Sequence, residues 1–205
     1  MKRRFLVFNV LTIVTLLLSG TFLPQTPHAL ARVAEPAAHG PAALSALPLV
    51  DDFESGLPSG LDGTVPIGFN TFADPNSTAA ISTTAAAPAP TVPGHGAGNH
   101  VLKLDLNVVA WAGVTHGFEN AGVNAWVTQD WSAYEGISFY LYGAGAGTDL
   151  FVDVLDNRNP GSTRDDAERW TFAFRDDVTG WRLIEIPFAR MTRKEIGNGA
   201  PNDGF

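Results

Sequence analysis

The stretch that decides the fold class is residues 101–108, VLKLDLNV. Its apolar residues at positions 102, 104, 106 and 108 point to one side, while Lys103, Asp105 and Asn107 point to the other, which is the two-residue period of a β-strand. Four more stretches alternate in this way or are rich in β-branched and aromatic residues: 137–142, 150–155, 170–175 and 181–186. The sequence therefore predicts a series of half-buried strands.

Weaker strand signals at 49–54, 78–83 and 114–119 bring the total to about eight strands, separated by Gly, Pro, Asp and Asn. No window sustains the period of a helix. We therefore predict an all-β fold, a two-sheet β-sandwich or jelly roll. The loop 176–180 is predicted to close a hairpin between strands 170–175 and 181–186, and the glycine-rich stretch 143–147 to form another hairpin loop.

Composition limits the function classes. A chain of 205 residues that is 45% hydrophobic and 17% charged predicts one globular domain. Because cysteine is absent, disulfides, thiolate zinc sites and cysteine nucleophiles are excluded. The formal charge is −8, and without the three basic residues at 2–4 it becomes about −11, from 10 Lys/Arg against 21 Asp/Glu. This charge disfavours nucleic acid and anionic lipid as partners.

The N-terminus is typical of a secretory leader. Basic residues 2–4 precede the apolar run 5–18, and the small-x-small triplet Ala29-Leu30-Ala31 follows. This order predicts a signal peptide over residues 1–31 and a secreted, extracellular protein that is not in a membrane after cleavage. The alternative is a retained anchor, but the apolar run is short of the ~20 residues that a span requires.

Two biased stretches predict little regular structure. Residues 32–48 are rich in Ala and Pro and read as a flexible linker, which leaves 49–205 as the folded module. Residues 83–98 have a similar composition inside the module and are predicted to form a long surface loop.

Several catalytic motifs are weak or missing. The stretch 143–147 is glycine-rich, but a predicted strand follows it rather than the helix that a phosphate-binding loop requires. There is no Gly-x-Ser-x-Gly motif. The histidines His95, His100 and His116 are predicted to be exposed or in loops. Acidic doublets occur at 51–52, 165–166 and 176–177, and such doublets face water or calcium more often than they cleave glycosides.

A calcium site is one hypothesis for the N-terminal part of the module. Asp52 and Glu54 are two residues apart on the predicted strand 49–54, so their side chains would share one face. Asn99 and its neighbouring loop could add further oxygen ligands, which calcium prefers. An ordinary charged edge strand explains the same residues equally well.

Aromatic residues point to a binding surface. Five Trp, three Tyr and thirteen Phe exceed what one small core requires, so some rings are expected at the surface. Exposed rings on a flat sheet can stack on the apolar faces of sugar rings, while polar neighbours bind the hydroxyls. For any single Trp, packing in the core is the competing explanation.

Four segments resemble carbohydrate-binding module family 11, in order and spacing, over residues 49–193. They are LVDDFE (49–54), QDWSAYEGISF (129–139), ERW (168–170) and GWRLIEIPF (180–188). The resemblance implies a galactose-binding-like jelly roll whose concave face binds β-1,4- and mixed β-1,3/1,4-glucan. It also implies structural calcium and attachment to a glycoside hydrolase.

Carried over by position, the resemblance implies a set of ligand-binding residues. Trp111 is the leading aromatic platform, and a second family aromatic falls on Phe69 or Phe72. The acidic loop falls on Asp165 and Asp166, and the basic residues fall on Arg190 and Arg193. The family's closing strands do not occur before Phe205, so the module is expected to be incomplete at its C-terminus and to continue, with a catalytic domain as a possible covalent partner.

The sequence thus predicts a secreted, non-catalytic module that binds β-glucan. An alternative is an extracellular structural or protein-interaction domain, whose outward sheet positions would be small or charged rather than aromatic. A third hypothesis is a glycosidase, which needs two carboxylates about 5 to 9.5 Å apart across a cleft.

Overall fold

The computed structural model describes residues 49–84, 91–156 and 166–204, together with two three-residue strands near the N-terminus. These residues form twelve strands and a single turn of 3-10 helix, so the predicted all-β class is confirmed. Within these ranges, helical segments are far too short to cross a membrane.

The elements are numbered in chain order. The strands are β1 (Leu6–Phe8), β2 (Val14–Leu16), β3 (Ser59–Asp62), β4 (Val65–Ala73), β5 (Thr78–Thr84), β6 (Val101–Asn107), β7 (Trp111–Gly117), β8 (Gly136–Ala144), β9 (Thr148–Asp156), β10 (Glu168–Asp176), β11 (Thr179–Pro187) and β12 (Thr192–Arg193). The 3-10 turn, Phe188–Arg190, lies between β11 and β12.

The strands form a two-layer sandwich. One layer is a seven-stranded sheet in the order β12-β10-β9-β2-β7-β4-β3. The other layer consists of the three-stranded sheet β1-β8-β11 and the pair β5-β6. Within the large sheet, β2 pairs antiparallel with both β7 and β9, so these two strands run in the same direction on either side of it.

Two hydrophobic clusters lie between the layers. The larger cluster joins β8 and β11 to β9 through residues such as Phe139, Ile186 and Val152, which are fully or almost fully buried. The smaller cluster joins β4, β6 and β7. Leu104 packs against both clusters, so the interior is continuous. This burial of apolar surface between sheets is the main stabilising contribution.

A series of ring contacts links the two clusters. Phe69 stacks on His116 with centroids 4.1 Å apart, and His116 contacts Phe118 at 4.8 Å. Phe118 meets Trp131 edge-on at 5.6 Å, and Trp131 stacks on Phe188 at 6.0 Å. We call these five residues the aromatic ladder. The aromatic ladder connects β4 and β7 to the 3-10 turn that follows β11, and this turn belongs to the opposite layer.

One member of the aromatic ladder, His116, differs from its prediction. His116 was predicted to be exposed or in a loop, and this prediction is wrong, because His116 lies in β7 with only 8% of its side chain exposed. Its Nε2 is 3.0 Å from Glu119 Oε2. A histidine on the inward side of a strand can be buried when a carboxylate binds one ring nitrogen and its ring stacks on a neighbour. His95, by contrast, is exposed in a turn.

Most predicted strands match observed ones, with one clear error. Residues 49–54 do not form a strand; they make bends and a turn in which Phe53 has a positive φ of 61° and a buried ring. Asp51 Oδ1 accepts a hydrogen bond from Phe53 N at 2.6 Å, which is the local bonding that favours turns over strands. The strands β3 and β4 were not predicted.

Both predicted hairpins are wrong. Strand β8 pairs with β11, and β9 pairs with β10, so the connections at 143–147 and 176–180 each pass from one layer to the other. Asp176 holds the two connections together, since its Oδ2 accepts the N–H of Ala144 at 3.0 Å. A Cβ at Gly143 would collide with the carbonyl of Val178, so this crossing requires glycine.

The predicted leader and linker are only partly described. Strands β1 and β2 lie within residues 1–31, whereas the linker 32–48 falls outside the described residues. Of the predicted loop at 83–98, residues 85–90 are likewise outside, and residues 91–98 form turns. Val92 is buried and anchors this segment.

Ile186→Val tests the larger cluster. Because Ile186 is fully buried, removing one methylene should lower the free energy of unfolding by about 1 kcal/mol, measured by urea denaturation. Ile196→Val is the matched control, since Ile196 is 40% exposed and should change stability little. Equal effects of the two substitutions would contradict the assigned core.

Candidate functional site

The candidate site is the outward face of the seven-stranded sheet. In β7, Ala112 and Val114 are buried against the core, so alternation places Trp111, Gly113 and Thr115 on the outer side. In β9, Leu150 and Val152 are buried, so alternation places Phe151 and Asp153 on the outer side. The outer face is thus separate from both hydrophobic clusters.

Trp111 and Phe72 form an aromatic pair on this face. Phe72 in β4 is the register partner of Gly113 in β7, and the centroids of its ring and the Trp111 ring are 6.0 Å apart. Trp111 is 38% exposed. The residue directly across from Phe72 is a glycine, so no β7 side chain opposes the phenyl ring at that register position, and Trp111 approaches it from two residues away along β7. The two rings make a half-exposed apolar surface of the kind that can contact a flat ligand ring.

Asp74 fixes the backbone that carries Trp111. Its Oδ2 accepts a hydrogen bond from Trp111 N at 3.0 Å, and its own N–H donates to Trp111 O at 3.0 Å. The hydroxyl of Ser77 also donates to Asp74, and Ala110 N donates at 3.2 Å. The hydrogen bond from Ser77, followed by that from Trp111 N, lowers the pKa of Asp74 to about 2.

The sheet register arranges the outer face in rows. Gly113 and Phe151 are both register partners of Val14 in β2, so Phe72, Gly113 and Phe151 lie in one row across the sheet. Two residues further along, Thr115 and Asp153 occupy the next row. Adjacent strands are about 4.8 Å apart and successive rows about 7 Å apart. A row with two phenyl rings therefore lies beside a polar row.

The polar row continues into β10 and β12. Asp153 is the register partner of Thr171. Its Oδ2 lies 4.0 Å from Arg169 Nη1 and 3.6 Å from Lys194 Nζ, so one carboxylate serves two cations. Asp153 was not among the residues picked out from the sequence, although the alternation at 150–155 places it outward.

The other predicted ligand residues are more scattered. Phe69 is buried and contacts Phe53 and His116, so of the two alternatives only Phe72 lies beside Trp111. Arg190 is exposed with its guanidinium over the ring of Phe172, at 5.3 Å. Asp166 is half-buried before β10, and Asp165 lies outside the described residues.

Arg193 is occupied by carboxylates. It binds the buried Glu168 and also Glu195, the latter at 2.6 Å, and these hydrogen bonds raise the pKa of Arg193. It is the register partner of Trp170, which packs on the core, so it lies on the inward side of β12. The structure therefore does not bring Arg193 to the outer face with Trp111.

Glu54 and Asn99, two of the predicted calcium ligands, are in contact. Glu54 accepts hydrogen bonds from Asn99 Nδ2 at 2.6 Å and from His100 N at 2.9 Å, and its other oxygen is 2.7 Å from His100 Nδ1. The histidine side-chain contact, the largest cause, helps to lower the pKa of Glu54 to about 2. Asp52 Oδ1 accepts the N–H of Glu54.

In this arrangement Glu54 accepts hydrogen bonds from N–H donors and Asn99 presents its amide nitrogen, whereas a calcium ion would be bound by their oxygens. Over the described ranges, no group of three or more acidic, His or Cys side chains is placed to hold a metal. Calcium binding at Asp52, Glu54 and Asn99 stays a prediction.

A second aromatic patch lies on the other layer. Tyr142 in β8 and Trp181 in β11 are register partners, and their rings meet edge-on at 5.2 Å. Tyr142 is exposed, and Leu183, also exposed, is opposite Tyr140. Substitutions in this patch can therefore serve as controls for substitutions of Trp111 on the outer face of the seven-stranded sheet.

A β-sandwich whose outer sheet face carries partly exposed aromatic rings and polar side chains has the composition of a sugar-binding surface. The comparison with protein families agrees. A sequence model described as carbohydrate binding domain (family 11) matches residues 36–203. The chain belongs to this family of non-catalytic binding modules, as predicted, and its jelly-roll class is confirmed. Neither the curated proteins nor the solved structures gave a match.

The Asp74 anchor predicts a pH dependence of stability. Because the folded-state pKa of Asp74, about 2, lies below its ordinary value, its stabilising contribution is present above about pH 4 and is lost as the pH falls towards 2. Asp74→Asn would turn an amide N–H₂ towards N–H donors. We expect a lower thermal unfolding midpoint at pH 7 and a smaller difference from wild type near pH 2.

Asp105→Asn is the matched control, since Asp105 is an exposed strand carboxylate whose ion pair among the described residues is with Lys103. It should leave the midpoint nearly unchanged at both pH values. A deficit of Asp74→Asn that is as large at pH 2 as at pH 7 would show that the carboxylate charge of Asp74 is not what stabilises the turn.

Proposed function

We propose that this chain is a secreted module that binds β-1,4- or mixed β-1,3/1,4-glucan and directs an attached glycoside hydrolase to polysaccharide. The family shows a carbohydrate-binding domain, and the glucan type, the export and the attached enzyme are the proposed part. The observation that carries the proposal is the ring pair on the outer sheet face, formed by the exposed Trp111 and the half-buried Phe72.

Ring stacking and polar contacts would each contribute to binding. The rings of Trp111 and Phe72 supply an apolar surface for the C–H faces of a glucose unit, and the neighbouring polar row offers partners for hydroxyls. No charge is required of the ligand. Such contacts are shallow and remain partly hydrated, so a dissociation constant of roughly micromolar to millimolar is expected.

The alternative of a structural or protein-interaction domain predicts small or charged outward positions. The outer face instead carries Trp111, Phe72 and Phe151, with polar side chains in the next row. This composition supports the glycan-binding proposal over the alternative.

Trp111→Ala tests the platform by affinity electrophoresis in gels that contain barley β-glucan. Removing the indole should weaken binding about tenfold or more, which corresponds to about 1.4 kcal/mol. The fold should survive, because the Asp74 contacts are to the backbone of Trp111. Trp181→Ala, on the opposite layer, should migrate like wild type.

Two outcomes would contradict this assignment. If Trp111→Ala is retarded as much as wild type and Trp181→Ala is not, then the Tyr142–Trp181 patch is the platform. If wild type itself is not retarded by β-glucan or by other cellulose-like glucans, the proposed ligand class is wrong.

Export can be tested separately by N-terminal sequencing of protein recovered outside an expressing bacterial cell. Cleavage after Ala31 predicts Arg32 as the first residue. Protein that stays with the membrane and begins upstream of residue 31 would instead indicate a retained anchor.

A further inference from the structure

We propose that the folded module sequesters its own predicted leader, so that the leader can bind a membrane only before the module has folded. The apolar run 5–18 of the predicted leader contains two of the described strands, β1 and β2. The inference concerns the chain before cleavage, and it does not depend on the proposed binding of glucan.

The two strands of the leader are held in different layers. In the three-stranded sheet, β1 pairs parallel with β8, where Leu6 and Phe8 are the register partners of Ile137 and Phe139. Both partners in β8 are almost or fully buried members of the larger hydrophobic cluster. In the seven-stranded sheet, β2 pairs with β7 and β9. The apolar run is thus held at two points, one in each layer of the sandwich.

Strand β2 has an interior position in its sheet. Val14 is the register partner of both Gly113 in β7 and Phe151 in β9, and Thr15 is the partner of the fully buried Ala112. In the strand order of the large sheet, β7 and β9 are neighbours of β2 rather than of each other. Withdrawing β2 would therefore divide the sheet into two parts. Such an opening resembles sub-global unfolding, which is rarer than fraying of a chain terminus.

Pairing in the sheets and insertion into a membrane exclude each other. In the hydrocarbon region of a bilayer, a single segment must satisfy its peptide groups internally, as a helix does. In β1 and β2, peptide groups of the same run are paired with neighbouring strands. Folding of the module and membrane insertion of the leader therefore compete for the same peptide groups, and folding withdraws the leader from the membrane.

Flotation of the full chain with vesicles of phosphatidylethanolamine and phosphatidylglycerol tests this competition. Chain that is refolded before the vesicles are added should stay at the bottom of the density gradient. Chain that is diluted from urea directly into the vesicles should float, with about tenfold more protein bound, because its leader is still unpaired. Leu17→Asp interrupts the apolar run outside both strands and should abolish this flotation. Equal flotation of refolded and urea-diluted wild type would overturn the proposal.

Thr15→Pro should release the leader from the refolded chain. Proline cannot donate to the strand ladder, so this substitution weakens the pairing of β2 with β7. The refolded variant should float about tenfold more than refolded wild type, because β2 opens more often. Leu18→Pro, in the same apolar run but outside β1 and β2, is the matched control and should stay unbound. A refolded Thr15→Pro chain that stays unbound as wild type does would count against the proposal.

A disulfide tests the position of β2 directly, even if Thr15→Pro does not fold. The chain has no cysteine of its own. Thr15→Cys combined with Ala112→Cys places two thiols at one register position of antiparallel strands, where Cα atoms about 5 Å apart permit a disulfide. Oxidation of the refolded full chain should give an intramolecular cross-link, detected by mass spectrometry. Thr15→Cys combined with Ala80→Cys, on the exposed side of β5, should give none.

The outcomes separate this inference from the proposed function. If the Thr15–Ala112 pair does not cross-link, the leader is not part of the sheet and the sequestration is wrong. If the secreted protein begins at Arg32 but refolded and urea-diluted precursor float equally, export stands and sequestration fails. If wild type binds no glucan but the refolded precursor alone ignores the vesicles, the proposed ligand is wrong and the sequestration stands.

Discussion

Both the core and the candidate site depend on one constraint, the two-residue alternation of strands in the seven-stranded sheet. In β9, Leu150 and Val152 are buried between the layers, whereas the alternating residues Phe151 and Asp153 are on the outer side. A one-residue slip in register would exchange these faces, placing a carboxylate in the hydrophobic core and aliphatic side chains on the surface. Packing of the core and presentation of the ligand face are therefore enforced by the same register.

The aromatic ladder packs the inner side of the strands that carry the candidate ligand face. It starts at Phe69 in β4, the strand that also carries Phe72 on its other side, and passes through His116 in β7, the strand of Trp111. It ends at Phe188 on the opposite layer. The outward ring pair of Phe72 and Trp111 is therefore carried by β4 and β7, the same two strands whose inward side chains Phe69 and His116 stack on each other. A ring pair held in this way would lose little conformational entropy if it bound a ligand.

The sequence predicted the fold class and most strands because alternation is a local signal, as in residues 101–108. Partner choice is not local, so both hairpins were assigned wrongly: β8 pairs with β11 across a layer crossing that depends on the Asp176 contacts. Strand β4 was missed because Pro66 and Gly68 weaken its strand signal. Trp111 and Phe72 could be named in advance, whereas the contact between Asp153 in β9 and Lys194 beyond β12 requires knowledge of which strands are neighbours.

The position of β2 has a consequence for processing. Residues 14–16 lie within the leader predicted from the sequence, yet they bridge β7 and β9 in the large sheet. If the leader is removed during export, two strand edges face each other across one strand width, with their peptide groups unpaired. Such a gap is a template for an extended segment, from elsewhere in the polypeptide or from a neighbour, in the manner of donor-strand exchange.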